Sequence, residues 1–116
     1  MRLSMKLVLI ESPYKGDNDI DIRANVAYAR RCVRDSLLRG EAPLASHLLY
    51  TQPGILRDEV SSERQHGIDA GLAWGAVAEL TAVYTDRGIS QGMRYGIAAA
   101  EKLGRRVEYR KLEDVT

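Results

Sequence analysis

The sequence is poor in cysteine, in net charge and in long apolar runs, and each scarcity excludes a class of protein. Cys32 is the single cysteine, so the chain has no partner for an internal disulfide and no thiolate set for a metal. Lysine and arginine total 17 against 16 aspartate and glutamate, which leaves no bulk field to attract nucleic acid or a membrane. No apolar run approaches the roughly 20 residues that cross a bilayer.

What is present is the composition of one ordinary globular domain. The chain has 116 residues, of which 45% are hydrophobic and 28% charged, enough for a core of its own. We therefore predict a single domain over residues 1–116, with a loosely attached tail over 110–116. The first residues lack the apolar region and cleavage site of a signal peptide, so a cytoplasmic location is the default expectation. His66 has no partner at metal-ligand spacing, and we predict neither a metal nor a cofactor.

Alternating apolar runs and helical periodicities predict the fold. Residues 7–10 are continuously apolar, which is typical of a parallel strand covered on both faces. Helical spacing of apolar residues predicts helices near 21–38, 58–78 and 93–103, and strands are expected near 41–45, 79–84 and 106–110. The order β-α-β-α-β-α-β indicates an α/β, Rossmann-like three-layer fold. Its sheet would have four to five parallel strands flanked by helices.

The stretch from Thr85 to Met93 stands at the centre of this organisation. It follows a buried strand, contains Gly88, Ser90 and Gly92, and runs directly into a helix. Glycines let a ligand approach the backbone, and the free N–H groups of a helix start attract an anion. Ser90 is a good N-cap residue whose hydroxyl can turn to a phosphate instead. A capped helix after a loop, with no ligand, is the alternative interpretation.

Two further loops are predicted at the same edge of the sheet. The first follows the first strand and contains Ser12, Tyr14 and Gly16. The second follows the second strand and contains His47. Open α/β sheets bind ligands at the carboxyl ends of their strands. Tyr14 would stack on a base or bond a phosphate, and His47 would contact either group.

Glycines recur in the helix predicted near 58–78. Gly67, Gly71 and Gly75 are spaced four residues apart and fall on one side of a helix. Each costs on the order of 1 kcal/mol relative to alanine, so the run indicates close approach of another element. That element is either the sheet or a second subunit.

Three motifs, in this order, are similar to the nucleoside 2-deoxyribosyltransferase-like family. They are Ser12-Pro13-Tyr14-x-Gly16, Gly71-Leu72-Ala73-Trp74 and Ser90-x-Gly92-Met93. The sequence resembles most the small branches of the family, namely deoxynucleoside 5′-monophosphate N-glycosidases and short proteins of phages and actinobacteria. The resemblance covers the chain from Leu7 to Tyr109. It implies a Rossmann-like sheet, a dimer or higher homo-oligomer, and a nucleoside or nucleotide as ligand.

The same resemblance implies a chemistry and assigns residues to it. Family members cleave the N-glycosidic bond, with a glutamate on the last long helix attacking the anomeric carbon. The sugar then passes to another base or to water. By position, Ser90, Gly92 and Met93 would hold the 5′-phosphate, with Gly88 in the same turn. Ser12, Tyr14 and Gly16 would enclose the sugar and phosphate.

The sequence departs from the family pattern at the nucleophile. The position four residues after Gly92 is Gly96, and glycine has no group with which to attack. Another carboxylate takes its place, or the protein binds without cutting, or the catalytic residue has been lost. Asp86, Asp69 and Glu63 are placed to approach the pocket, with Asp86 and Asp69 as the candidate replacements, whereas Glu101 lies too far along the helix.

These alternatives lead to three hypotheses about function. The chain is an enzyme that hydrolyses or transfers at the N-glycosidic bond, a non-catalytic protein that binds or sequesters a nucleotide, or an oligomeric interaction protein assembled through its glycine-rich helix.

Overall fold

Four parallel strands form one sheet in the order β2-β1-β3-β4. The architecture is that of a computed structural model, which describes residues 5–112. The elements are β1 (Leu7–Glu11), α1 (Asp19–Leu38), β2 (Ala42–Leu44), α2 (Ser46–Leu49), α3 (Ser61–Trp74), β3 (Leu80–Tyr84), α4 (Gln91–Lys102) and β4 (Arg106–Arg110). The predicted α/β fold with a four-stranded parallel sheet flanked by helices is confirmed.

One face of the sheet packs against α1. The buried cluster between them comprises Val8, Ile10, Tyr28, Cys32, Ala45, Leu80, Ala82 and Tyr84. Because successive side chains of a strand point to opposite faces, the alternate residues Leu9 and Glu11 point to the other face. Right-handed crossovers place α4 on that other face. Glu11, the last residue of β1, is thus directed toward α4.

The residues at the start of helix α4 fix where the helix begins. Ser90 is its N-cap, and the Ser90 hydroxyl accepts a hydrogen bond from the Met93 amide at 3.3 Å. Met93 is 1% exposed and Ala100 is fully buried, so both lie on the inner face of the helix. Gly88, on the way from β3 into α4, has φ of +82°, a conformation that L side chains rarely adopt.

Helix α3 differs most from its prediction. It is shorter than the predicted 58–78 and buries none of its residues. It ends at Trp74, and the carbonyl of the following Gly75 accepts a hydrogen bond from the Arg105 guanidinium. The glycine run faces side chains of this chain, because Cβ atoms on Gly67 and Gly71 would meet Leu56 and Ser46.

Two segments expected to be irregular carry ordered contacts. The loop predicted after β2 begins with the four-residue helix α2. In the segment 110–116, Arg110 is buried and the Leu112 amide donates to the Asp86 carboxylate at 3.0 Å. Residues 113–116 of that segment lie outside the described part of the chain. Within residues 5–112, no helix is both long and apolar enough to span a membrane.

Candidate functional site

The connection order creates a switch point between β1 and β3. From β1 the chain moves outward to β2, then crosses back over β1 to β3 and continues to β4. The loops after Glu11 and after Tyr84 therefore leave neighbouring strands in opposite directions. The crevice that opens between such loops is where open α/β sheets bind ligands. Two of the three loops that the sequence predicts to meet a ligand, those after β1 and β3, flank this switch point.

The Glu11 carboxyl group lies against Gly96 of α4. A Cβ atom built on Gly96 would lie 2.5 Å from the Cδ of Glu11 and 2.9 Å from its Oε1, closer than real side chains pack. Only a glycine leaves this space open for the carboxyl group. A carboxyl group supplied by β1 therefore occupies the space beside Gly96 of α4.

Glu11 is also electrostatically unusual. Burial raises its pKa from 4.5 to about 8, partly offset by the positive charge of Arg105. Within residues 5–112 no hydrogen bond or ion pair reaches its carboxyl oxygens, although a part of the side chain stays open to solvent. A carboxyl group with a strongly shifted pKa at a crevice is a functional-site candidate.

Ser12 and His47 join the first two loops. The Ser12 hydroxyl and the Nε2 atom of His47 are 2.7 Å apart, and which of them donates depends on the histidine tautomer. Burial lowers the pKa of His47 from 6.5 to about 4, so the imidazole is neutral at neutral pH. Ser12 is 4% exposed. The pair fixes the loop after β1 to the start of α2.

Asn25 of α1 holds the other side of that loop. Its amide nitrogen donates to the Tyr14 carbonyl at 3.0 Å, and its Oδ1 accepts from Arg87 at 3.0 Å. Gly16 packs so closely on α1 that a Cβ there would lie 2.5 Å from the Cβ of Asp21. Asn25 thus connects the loops that follow β1 and β3. The Tyr14 side chain remains partly exposed.

The start of α4 is open on its outer side. Gly88 and Gly92 are exposed, and a Cβ on Gly92 would meet only the Ser90 hydroxyl, at 4.0 Å. The first amides of a helix have no carbonyl of their own to bond. Ser90 bonds the Met93 amide, and the buried Met93 side chain belongs to the core. The Ser90 amide donates to the Met93 sulfur at 3.3 Å, so Gly88 and Gly92 are the residues that leave the backbone of this helix start open to an anion.

The two aspartates proposed as catalytic candidates have other surroundings. Asp86 accepts from the Tyr28 hydroxyl at 2.6 Å and from the Leu112 amide, so it ties α1 to the segment that follows β4. Asp69 is exposed on α3 and accepts from Gln65 at 2.9 Å. The carboxyl group that touches Gly96 belongs to Glu11.

Other potential sites are poor in chemistry. No cluster of three or more metal-ligating side chains occurs in the described chain. One surface depression lies at the opposite edge of the sheet, around Gly75, Glu79 and Arg105. Another lies between α1, β2 and α2. Both are open depressions, and the candidate site rests instead on the strand order and on the contact between Glu11 and Gly96.

The sequence does not indicate Glu11 as a functional candidate, or Asn25 as the residue that connects the loops after β1 and β3. The sequence pattern places Glu11 in a polar loop, although it directly follows an apolar strand. Strand alternation combined with the missing side chain at Gly96 is the available signal. Asn25 has no signal, because a polar residue on a helix is ordinarily solvated.

Comparison with known proteins gives a family but no activity. A family model described as "Domain of unknown function (DUF7768)" matches residues 6–110, which spans all four strands and both loops of the crevice. No curated protein and no solved structure matches the chain. Function must therefore be inferred from the crevice.

Proposed function

We propose that this chain, which belongs to the DUF7768 family, binds a nucleoside or nucleotide between β1 and β3 and acts on its N-glycosidic bond. The observation that carries the proposal is the switch point, which brings the Ser12 loop and the Ser90 helix start to one crevice. The resemblance to deoxyribosyltransferase-like proteins supplies the ligand class and the reaction. A hydrolase would pass the sugar to water, and a transferase would pass it to another base.

The open start of α4 supports a phosphorylated ligand. The exposed glycines at 88 and 92 allow a phosphate to approach the backbone, and the helix start favours negative charge. Tyr14 and the Ser12–His47 pair border the other side of the crevice. A nucleoside 5′-monophosphate would place its phosphate at the start of α4 and its sugar toward β1.

Replacement of Gly92 by aspartate tests the phosphate position. The site has room for the side chain, and a carboxylate at a helix start is otherwise favourable. Like charges should weaken binding of nucleoside 5′-monophosphates by at least about tenfold, while unphosphorylated nucleosides lose little. Isothermal titration calorimetry with both ligand sets measures this.

The matched control is Ser62→Asp, which adds the same charge to the first turn of α3. It should leave both affinities unchanged. If the unmodified chain binds no nucleoside or nucleotide, the proposed function is wrong. If Gly92→Asp and Ser62→Asp bind monophosphates equally well, the phosphate lies elsewhere.

A non-catalytic nucleotide-binding or nucleotide-sequestering protein is the second candidate. Gly96 favours it, since the helix that should carry the nucleophile has none. Calorimetric binding without any release of base would select this candidate over the enzyme.

The proposal includes a homo-oligomer, for which α3 provides the supporting observation. Leu72 is 43% exposed, Trp74 48% and the following Val77 56%, so an apolar surface lies beside a helix that buries nothing. We expect Leu72→Asp to shift the chain to monomer in sedimentation equilibrium. Ile20→Asp, at a 75% exposed position on α1, is the control that should not. A monomeric unmodified chain would contradict the oligomer.

The cytoplasmic location remains part of the proposal. A single cysteine, buried as the free thiol of Cys32, suits a reducing compartment.

A further inference from the structure

A carboxyl group from β1 lies against α4 at Gly96, where the helix has no side chain. Glu11 reaches from the end of β1 into the space that any side chain on Gly96 would fill. β1 and β3 pair up to this residue, with Glu11 opposite Val83, so a central strand fixes its backbone. Among residues 5–112 no donor occupies its oxygens. Such a group is free to meet a ligand.

We propose that Glu11 is the catalytic nucleophile of this chain and that it replaces the absent glutamate of α4. This inference rests on the proposed function, because it assigns a residue to the same site and reaction. In this proposal Gly96 is not the remnant of a lost catalytic residue. Because glycine has no side chain, it leaves the space that the Glu11 carboxyl group occupies. The catalytic carboxyl group would come from strand β1 in this chain, whereas the family pattern places it on the helix that corresponds to α4.

The reaction proceeds in two balanced steps. Glu11 first loses its proton to water. A carboxylate oxygen then attacks the anomeric carbon and forms an ester with the sugar, while the bond to the base nitrogen breaks. The electron pair stays on that nitrogen, which takes a proton from water. A second water then attacks the anomeric carbon, the ester bond breaks, and the carboxylate and one proton are released. The net change consumes one water and yields free base and sugar phosphate.

The geometry favours attack over proton donation to the base. A ligand with its phosphate on the start of α4 directs its sugar along the helix toward Gly96, one to two turns further on. The sugar, rather than the base, then lies over the Glu11 oxygens. Burial in the same place weakens the solvation of the carboxylate and so increases its reactivity.

A carboxylate exchange tests the inference. The full chain, Glu11→Gln and the double variant Glu11→Gly/Gly96→Glu are assayed by chromatography for base release from nucleoside and deoxynucleoside 5′-monophosphates. We expect Glu11→Gln to lower kcat by at least about a hundredfold with little change in KM. The double variant, which returns the acid to α4, should recover part of that loss. Mass spectrometry of the unmodified chain should place a sugar-phosphate adduct on Glu11.

Controls separate this inference from the proposed function. Glu101→Gln, at an exposed position of α4, should keep full activity. Circular dichroism and calorimetric binding show whether each variant is folded. If the unmodified chain releases base and folded Glu11→Gln does so equally well, the inference is overturned and the function stands. If the chain binds monophosphates without releasing base, the inference is also overturned, and nucleotide binding alone stands. If nothing binds, both fall.

Discussion

Replacement of Arg110 by methionine is expected to lower the free energy of unfolding by about 3–5 kcal/mol, the usual cost of removing one partner of a buried ion pair. The Arg110 side chain is 3% exposed. Its guanidinium donates to both Glu41 oxygens at 2.8 and 2.7 Å and to the Tyr84 hydroxyl at 3.1 Å. Methionine would leave Glu41 with the Ser36 hydroxyl as its remaining donor.

The matched control lies on the same strand. Arg106 bonds Glu108 at 3.5 Å with a side chain that is 69% exposed, so Arg106→Met should cost less than about 1 kcal/mol. Urea denaturation of both variants measures the difference. Equal costs would show that the buried pair contributes nothing beyond a surface pair.

The effect of Arg110→Met should depend on pH in a defined direction. Hydrogen bonds from Arg110 lower the pKa of Glu41 below 4.5. A carboxyl group with a lowered pKa stabilises the fold above its ordinary pKa, and this contribution is lost as pH falls through the lowered value. The difference in the free energy of unfolding between Arg110→Met and the unmodified chain should therefore decrease as pH falls.

Glu11→Gln is expected to stabilise the protein at alkaline pH, by about 2 kcal/mol near pH 9. The pKa of Glu11 is raised from 4.5 to about 8. The folded state therefore holds a proton that the unfolded state has lost, and stability falls as pH rises from about 4.5 to about 8. Raising a pKa by one pH unit corresponds to about 1.4 kcal/mol, and the partial exposure of Glu11 to solvent reduces the total. Glutamine has the same shape and carries no charge, so it escapes this penalty.

Thermal or urea unfolding near pH 5 and near pH 9 measures the effect. The two proteins should have similar stability at the lower pH, where folded Glu11 is neutral. Glu101→Gln, at an exposed position, should show no such pH-dependent gain. An equal effect of Glu11→Gln at both pH values would show that Glu11 is not buried as a neutral acid. The same titration predicts that base release by the unmodified chain increases as pH rises toward 8.

His47 affects stability in the opposite direction to Glu11, and it does so at lower pH. Burial lowers its pKa from 6.5 to about 4, so the unfolded state binds the extra proton between these values. Its contribution to stability is therefore lost as pH falls from about 6.5 to about 4. Stability therefore falls in acid because of His47 and in alkali because of Glu11, and we expect its maximum at an intermediate pH.

The fold is accessible from the sequence because its signals are local. A continuous apolar run marks β1, helical spacing marks α1 and α4, and strand–helix alternation requires parallel pairing. Boundaries are less accurate, and the pattern predicts α3 too long. Just beyond its last residue, the Gly75 carbonyl accepts a hydrogen bond from the Arg105 guanidinium, a contact between residues thirty positions apart that no local pattern contains.

The candidate site is predictable in part. Turn chemistry places Ser90 and the glycines of its loop at a helix start, and strand order places the Ser12 and His47 loops at the same edge. The Ser12–His47 bond and the role of Asp86 in holding Tyr28 and Leu112 require the packed chain. So does the burial of Arg110, which the sequence pattern predicts to begin a loosely attached tail.

The sequence by itself determined the α/β class, the crevice loops and the absence of a side chain at Gly96, because each follows from residue type and short-range spacing. The tertiary structure alone decided that a carboxyl group stands there. Glu11 and Gly96 are separated by most of the chain, and only the pairing of β1 with β3 and the close approach of α4 bring them into contact. The sequence shows that position 96 has no side chain, but only the packing of α4 against β1 shows which group fills the space beside it.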